Sequence, residues 1–258
     1  MMEQGRESLR QLARQRGWLI EHWRYLLRQR VLPRFEGRRP TGLDVGCGPG
    51  LVMESLGDLM LVQGLDHDRD MVEGCRARGL RATLGRAEEL PYEDASFDIV
   101  YCSFLLVWVE DPLTVLKEML RVSKGQVLCL AEPDYAARVD HPPELTELTS
   151  LIVDGTIRAG GDPFMGRKLR SLFSGLGMDA EIGIHPGAWS LERLRAEGEA
   201  EWEWARGMVG DAPEDRMRHL RGVWDRALAE GTLFQHNPIF YALGKGKDDQ
   251  TDRLSRQK

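Results

Sequence analysis

The sequence predicts an α/β fold: a seven-stranded, mostly parallel sheet with helices on both faces, plus a helical cap and a helical lid. Three observations carry that prediction. From Thr41 onward, short apolar runs alternate with helical stretches, the pattern of strand–helix–strand crossovers in a parallel sheet. The runs IVYCSFLL and VLCLA are continuous rather than alternating, as expected for strands covered on both faces. The chain's 258 residues, 42% hydrophobic and 29% charged, suffice for one large domain with a helical addition.

Two helices are predicted first, near 5–16 and 18–32. In the second, Leu19, Trp23, Leu26 and Leu27 share one apolar face, Arg24 and Arg28 lie off it, and Pro33 stops it. Residues 1–40 are read as the cap and 41–244 as the main domain. TGLDVGC supplies the first strand, LMLVQGLDH the second, RATLGRA the third, FDIVYCSF the fourth and QVLCLAEPD the fifth. Helices are expected near 51–57, 68–78 and 112–122 among these strands, then near 143–159 and 165–176. MDAEIGIHP supplies the sixth strand and NPIFYALGK the seventh, with a polar, tryptophan-bearing helical block at 188–231 between them. The stretch 245–258 has almost no apolar content and is expected to be a flexible tail.

The charge is unevenly spread. Ten arginines against four glutamates leave residues 1–40 at +6, so the overall −6 puts the remainder at −12. Such an arm can meet phosphate or an acidic partner, or be the solvated face of an amphipathic helix, the plainer reading. No apolar run reaches the roughly 20 residues that span a bilayer, and MMEQGRESLRQLARQRG lacks the apolar core of a secretory signal. Cys47, Cys75, Cys102 and Cys129 are scattered, without a CxxC pair. No metal site is expected, and a reduced cytoplasmic setting is the simplest expectation.

The strongest chemical signal is Leu43-Asp44-Val45-Gly46-Cys47-Gly48-Pro49-Gly50, a strand running into a glycine-rich turn and then a helix. Glycine permits the sharp turn and lets a ligand approach the backbone closely, while the helix start offers free N–H groups. The spacing is GxGxG, and Leu51 stands where a dinucleotide fingerprint has its third glycine. Asp44 is placed to meet a cationic amino group. Twenty residues after Gly46 comes Asp66, at the end of the second strand, where a carboxylate can accept from both ribose hydroxyls. The plainer role for Asp66 is a helix N-cap.

These stretches resemble the class I S-adenosylmethionine-dependent methyltransferases, Rossmann-like enzymes, and among them the small-molecule "type 11" group that includes quinone-biosynthesis enzymes. The likeness covers residues 41 to about 134 well and the rest loosely. It implies that LDVGCGPG, with Cys47 inside it, holds the cofactor, and that GLDHDRDMV carries the ribose acid Asp66 beside His67 and Met71. It further implies that Ala87 and Glu88 flank the adenine, and that Ser103 and Phe104 lie at the methionine end. The turn VSKGQ lacks a proline-glycine that many relatives have. In this fold the sixth and seventh strands meet the cofactor edge, so 188–231, with Trp189, Trp202, Trp204 and Trp224, is expected to form a lid over an apolar acceptor pocket.

Methyl transfer is an in-line displacement in which the protein chiefly aligns the nucleophile and excludes water, so no obligatory catalytic residue is expected. Candidates for a general base are Glu132, Asp134, Tyr135, His141 and His185, with His185 first because it precedes a proline at the cofactor edge. The Asn/Asp-Pro-Pro-aromatic motif of amino-methylating DNA enzymes is missing, with CSFLLVW in its place. Together with the acidic bulk charge this favours a small-molecule acceptor over nucleic acid. Three rivals remain: a NAD-dependent oxidoreductase or epimerase, a non-catalytic module that binds S-adenosylmethionine, and an aminopropyl transferase. The Tyr241/Lys245 pair that would suit a short-chain dehydrogenase falls on a predicted strand, where residues four apart lie about 13 Å from each other.

Overall fold

The computed structural model describes residues 2–187 and 189–245, with side chains from Arg10 onward. Ala188 and the expected tail beyond Lys245 lie outside the described residues. The chain opens with one long helix, α1 (Met2–Leu26), which widens into a π turn at Leu27–Val31 and then tightens into a 3-10 turn at Leu32–Phe35. The two helices expected from the sequence are therefore one, running through Gly17. An interior glycine costs a helix roughly 1 kcal/mol. Burial of Leu19, Trp23, Leu26 and Leu27, all 4% exposed or less, outweighs that cost.

The alternating region then unfolds in order. β1 (Thr41–Val45), α2 (Leu51–Leu56), β2 (Leu61–Asp66), α3 (Arg69–Ala77) and β3 (Ala82–Leu84) form the first half. β4 (Ile99–Ser103), α4 (Pro112–Val122) and β5 (Gln126–Pro133) follow. Asp68 caps α3 by accepting from the Asp70 and Met71 amides, and Asp111 caps α4 with Pro112 in the first turn. Beyond β5 come β6 (Val139–His141), α5 (Thr146–Arg158), α6 (Met165–Gly175), β7 (Asp179–Ile184), α7 (Leu191–Val209) and α8 (Glu214–Glu230). β8 (Phe234–His236) and β9 (Ile239–Lys245) close the described chain.

The main sheet has seven strands in the order β3-β2-β1-β4-β5-β9-β7. All neighbours are parallel except β9, which runs antiparallel to both β5 and β7. The order reverses between β1 and β4, and the crevice beyond their carboxyl ends is where open α/β sheets bind ligands. Alternate residues divide the core between two faces. Val100, Cys102, Val127 and Cys129 face α4 to α8, while Ile99, Tyr101, Leu128 and Leu130 face α1. β6 and β8 make a small separate antiparallel ribbon that the sequence did not announce.

The basic arm has its acidic partner within the chain. Arg14 reaches Glu197 and Glu201, Arg24 and Arg28 reach Asp58, Arg30 reaches Glu181, and Arg38 reaches Asp98. The block at 188–231 is likewise tied in. A Cβ on Gly155 of α5 would run into the Met208 carbonyl of α7, so the two helices cross at backbone contact. Trp202 and Trp224 are 7% and 3% exposed and pack on each other, and Trp204 leans on Tyr135. Trp189 lines a cavity, where it meets Trp18 edge to face.

Candidate active site

The glycine loop takes the backbone conformation that its sequence demands. Gly46, Gly48 and Gly50 have φ of 72°, 51° and 83°, all in the left-handed region. A Cβ on Gly46 would sit 2.8 Å from Leu105 Cδ1, and one on Gly50 would collide with Leu80. At Gly48 the nearest obstacle is Leu12 at 4.0 Å, because this glycine faces a cavity.

That cavity, about 430 Å³, lies at the β1/β4 switch point. Asp44, Gly46, Cys47, Gly48, Ser103 and Phe104 line it, so the structure brings together half of the expected cofactor residues. Asp44 is 1% exposed, and its Oδ2 has no hydrogen-bond partner. Burial pushes its carboxyl well above the usual carboxylate range. The buried Ser103 hydroxyl is also unpartnered. Such groups are costly unless something pairs with them, so the cavity is shaped for a polar, partly cationic ligand.

Asp66 is not a helix cap; that role belongs to Asp68. Its Oδ2 accepts from the Gly48 amide at 2.8 Å and its Oδ1 from the Asp68 amide at 2.9 Å. A carboxylate has about four lone-pair sites. Two of these sites brace the loop, and the residue is 7% exposed. His67 is exposed beside Asp66, at 3.4 Å. Gly50 closes the loop behind Pro49, and it lies outside the cavity lining with Asp66, His67, Met71, Ala87 and Glu88.

Sequence reasoning missed the roof. Leu12, Gln15, Arg16 and Trp23 of α1 close the cavity from above, a long-range placement that no local motif encodes. Arg16 makes no hydrogen bond or ion pair among the described residues. A zwitterionic amino-acid group would thus meet a carboxylate at Asp44 and a guanidinium at Arg16. The residues present fit S-adenosylmethionine on that ground, and on the space before Gly48.

A second cavity lies between α1, α7 and the segments that follow β7 and β8. The Leu130 carbonyl joins a lining residue of each: it accepts from Trp23 Nε1 of the first cavity at 2.9 Å and from His185 Nε2 of the second at 2.7 Å. Since a carbonyl only accepts, His185 carries its proton on Nε2. Its Nδ1 then accepts from His22 Nδ1, at 2.7 Å. Both ring nitrogens are engaged, which removes the free lone pair that a general base needs. Burial, foremost, lowers the His185 pKa to about 4.

The other base candidates are also committed or remote. Glu132 is fully buried and accepts from the Leu105, Leu106 and Val107 amides. Asp134 is buried and paired with Arg167, and Tyr135 packs in the core. His141 stands exposed on β6. Tyr241 and Lys245 both lie on β9, as the strand reading requires. Among the described residues, no group of three or more His, Cys, Asp or Glu side chains could hold a metal ion. No helix among them is long and apolar enough to cross a membrane.

Comparison with known proteins agrees with this geometry. Residues 43–130 match the family described as "Methyltransferase domain". Demethylmenaquinone methyltransferase of Oceanobacillus iheyensis is 40% identical over 103 residues, 35% of this chain and 43% of that protein. The chain thus matches less than half the length of such curated relatives. Among solved structures, a Haemonchus contortus phosphoethanolamine N-methyltransferase, bound to phosphomonomethylethanolamine and S-adenosylhomocysteine, superposes with a TM-score of 0.53. It is 18% identical, with 84% of this chain and 52% of that one covered. A Bacillus halodurans protein described as a methyltransferase gives 0.56 at 16% identity, covering 84% and 96%. Residues 43–130 thus carry a methyltransferase domain, and the sheet order and the glycine loop are those of its Rossmann-like fold.

Proposed function

We propose that this chain transfers the methyl group of S-adenosylmethionine to a small-molecule acceptor. The observation that carries the reading is the buried Asp44 side chain, whose Oδ2 has no hydrogen bond, beside three left-handed glycines at the switch point of the sheet. When bound, the cofactor supplies an electrophilic sulfonium methyl group. Asp44 and Arg16 hold the two ends of its amino-acid group, and Ser103 and Phe104 border them. Gly46, Cys47, Gly48 and Gly50 form the close-fitting floor. Asp66 accepts from the ribose, with His67 and Met71 beside it, and Ala87 and Glu88 flank the base. The acceptor occupies the second cavity, beyond the Trp23–Leu130–His185 contact. His185 acts there as a positioning residue that holds α1 on the sheet.

Asp66→Ala removes charged hydrogen bonds to the ribose and should weaken binding of S-adenosylhomocysteine by about 1.5–3 kcal/mol, roughly ten- to a hundredfold. Calorimetric titration of the folded variant tests this, and unchanged affinity would remove Asp66 from the site.

The block 188–231 forms the outer wall of the acceptor cavity through Trp189, Arg193 and Glu201. Because Trp202 and Trp224 are packed, closure is confined to the first turns of α7 and the segment leading into it. Hydrogen exchange there should slow when cofactor and acceptor bind, with the Trp202–Trp224 region unchanged. Uniform exchange in both states would return the whole block to static packing.

A further inference from the structure

Three residues of the second cavity each carry a buried side-chain oxygen that the fold leaves without a hydrogen bond. These oxygens are Glu201 Oε2, Gln235 Oε1 and Asn237 Oδ1. Glu201 is 6% exposed and Gln235 4% exposed. An amide can turn either its oxygen or its nitrogen to a ligand, but a carboxylate offers acceptors only.

The charges nearby are shared. Arg138, with 1% of its side chain exposed, donates through Nε to both oxygens of Asp140 and lies 3.4 Å from Glu201 Oε1. Asp140 and Glu201 share Arg138, and with Glu197 they face Arg14 and Arg193 as well, so three acids meet three arginines; burial, foremost, raises the Glu201 pKa. Arg14 approaches Glu201 Oε2 at 3.5 Å without a hydrogen bond, and it is shared with Glu197. Several donors around the rim are already used, while the Arg193 guanidinium also lies over Trp189. Trp18 Nε1 donates to Glu197 at 2.9 Å, Arg193 Nε donates to Glu197 at 3.2 Å, and His185 is held by Leu130 and His22. Trp18, Leu19 and Ile239 supply apolar walls.

We propose that this cavity binds an amine-bearing acceptor, whose N–H groups meet Glu201, Gln235 and Asn237 while its hydrocarbon part rests on Trp18, Leu19 and Ile239. The proposal deepens the methyltransferase reading, on which it rests, by naming the substrate class. Ligands with surplus donors satisfy the three oxygens. Carboxylates add a further negative charge beside Glu201.

The test is a calorimetric titration of the full chain with benzylamine and tryptamine, their carboxylate counterparts phenylacetate and indole-3-acetate, and benzyl alcohol. Each is measured with and without saturating S-adenosylhomocysteine. The amines should bind at least tenfold more tightly than the matched carboxylates and the alcohol. Glu201→Gln should weaken the amines at least tenfold and Asn237→Ala severalfold, both leaving S-adenosylhomocysteine affinity within about twofold. The Asn237 variant keeps the test open if the Glu201 variant does not fold. Equal or tighter binding of the carboxylates, binding of none of these compounds, or amine affinity indifferent to both substitutions overturns the proposal. Failure of S-adenosylhomocysteine to bind the wild-type chain would instead overturn the cofactor reading, and the amine series without it would still decide this cavity's preference.

Discussion

A Glu132→Ala variant is expected to lose about 3–5 kcal/mol of folding stability, as when one partner is removed from a buried, charge-assisted hydrogen-bond set. The carboxylate is completely buried at the end of β5 and accepts from three successive amides, Leu105, Leu106 and Val107. Alanine leaves those donors unpaired in a site that water cannot reach. Glu132→Gln keeps an oxygen for Leu105 and Leu106 but sets an NH₂ against the Val107 amide, and should cost about half as much. The three amides directly follow Ser103 and Phe104 at the cofactor cavity. The Gln variant should therefore also bind S-adenosylhomocysteine more weakly. Urea unfolding gives the stabilities, and equal midpoints for wild type and Glu132→Ala would show that the turn is held by something else.

The second large effect is a pH dependence carried by His185. Burial lowers its folded-state pKa from 6.5 to about 4. The unfolded chain binds the proton first, so the contribution of neutral His185 is present above pH 6.5 and is lost as pH falls towards 4. A shift of that size corresponds to about 2–3 kcal/mol at pH 4.5. The structural cause is concrete: a second proton on His185 would point at the His22 Nδ1–H from 2.7 Å. Burial lowers the His22 pKa too, so His22 gives no relief as the pH falls. Glu132 acts in the opposite sense. Burial raises its pKa from 4.5 to about 7, so it adds stability at acid pH that is lost as pH rises through that window. The wild-type profile between pH 4.5 and 7 is therefore shallow, and His185 is isolated by difference. The stability advantage of wild type over His185→Gln should shrink by about 2–3 kcal/mol from pH 7.5 to pH 4.5. A constant difference would mean that His185 does not titrate in this way.

Much of this fold can be read from the chain because its parallel strands are buried on both faces. β4 and β5 appear as unbroken apolar runs joined through α4, and the residues that cap α3 and α4, Asp68 and Asp111, are local. β6 and β8 escape such a reading. Val139–His141 and Phe234–His236 are three residues each, with polar or partly exposed side chains, and exist because distant segments pair. The continuity of α1 through Gly17 was hidden for a related reason: the sheet face that buries Trp23 and Leu26 decides it, and local propensity does not.

The site divides along the same line. Asp44, the three glycines and Asp66 are near neighbours in sequence or follow one strand later, so their spacing carries the chemistry. Arg16 above the cavity, the His22–His185 contact and the oxygens of Glu201, Gln235 and Asn237 come from segments far apart. Only the fold brings them together. His185 shows the converse. Its position beside a proline at the cofactor edge was legible, while the two bonds that occupy its ring were not.

The most direct test of the methyltransferase reading is thermal unfolding with S-adenosylmethionine, S-adenosylhomocysteine and NAD, each in excess. At about 100 times its dissociation constant a ligand adds roughly 2.7 kcal/mol, a rise of about 5–10 °C for a chain of this size. Both adenosyl ligands should raise the Tm and NAD should leave it unchanged. A rise with NAD alone would contradict the assignment and turn the glycine loop into a dinucleotide site.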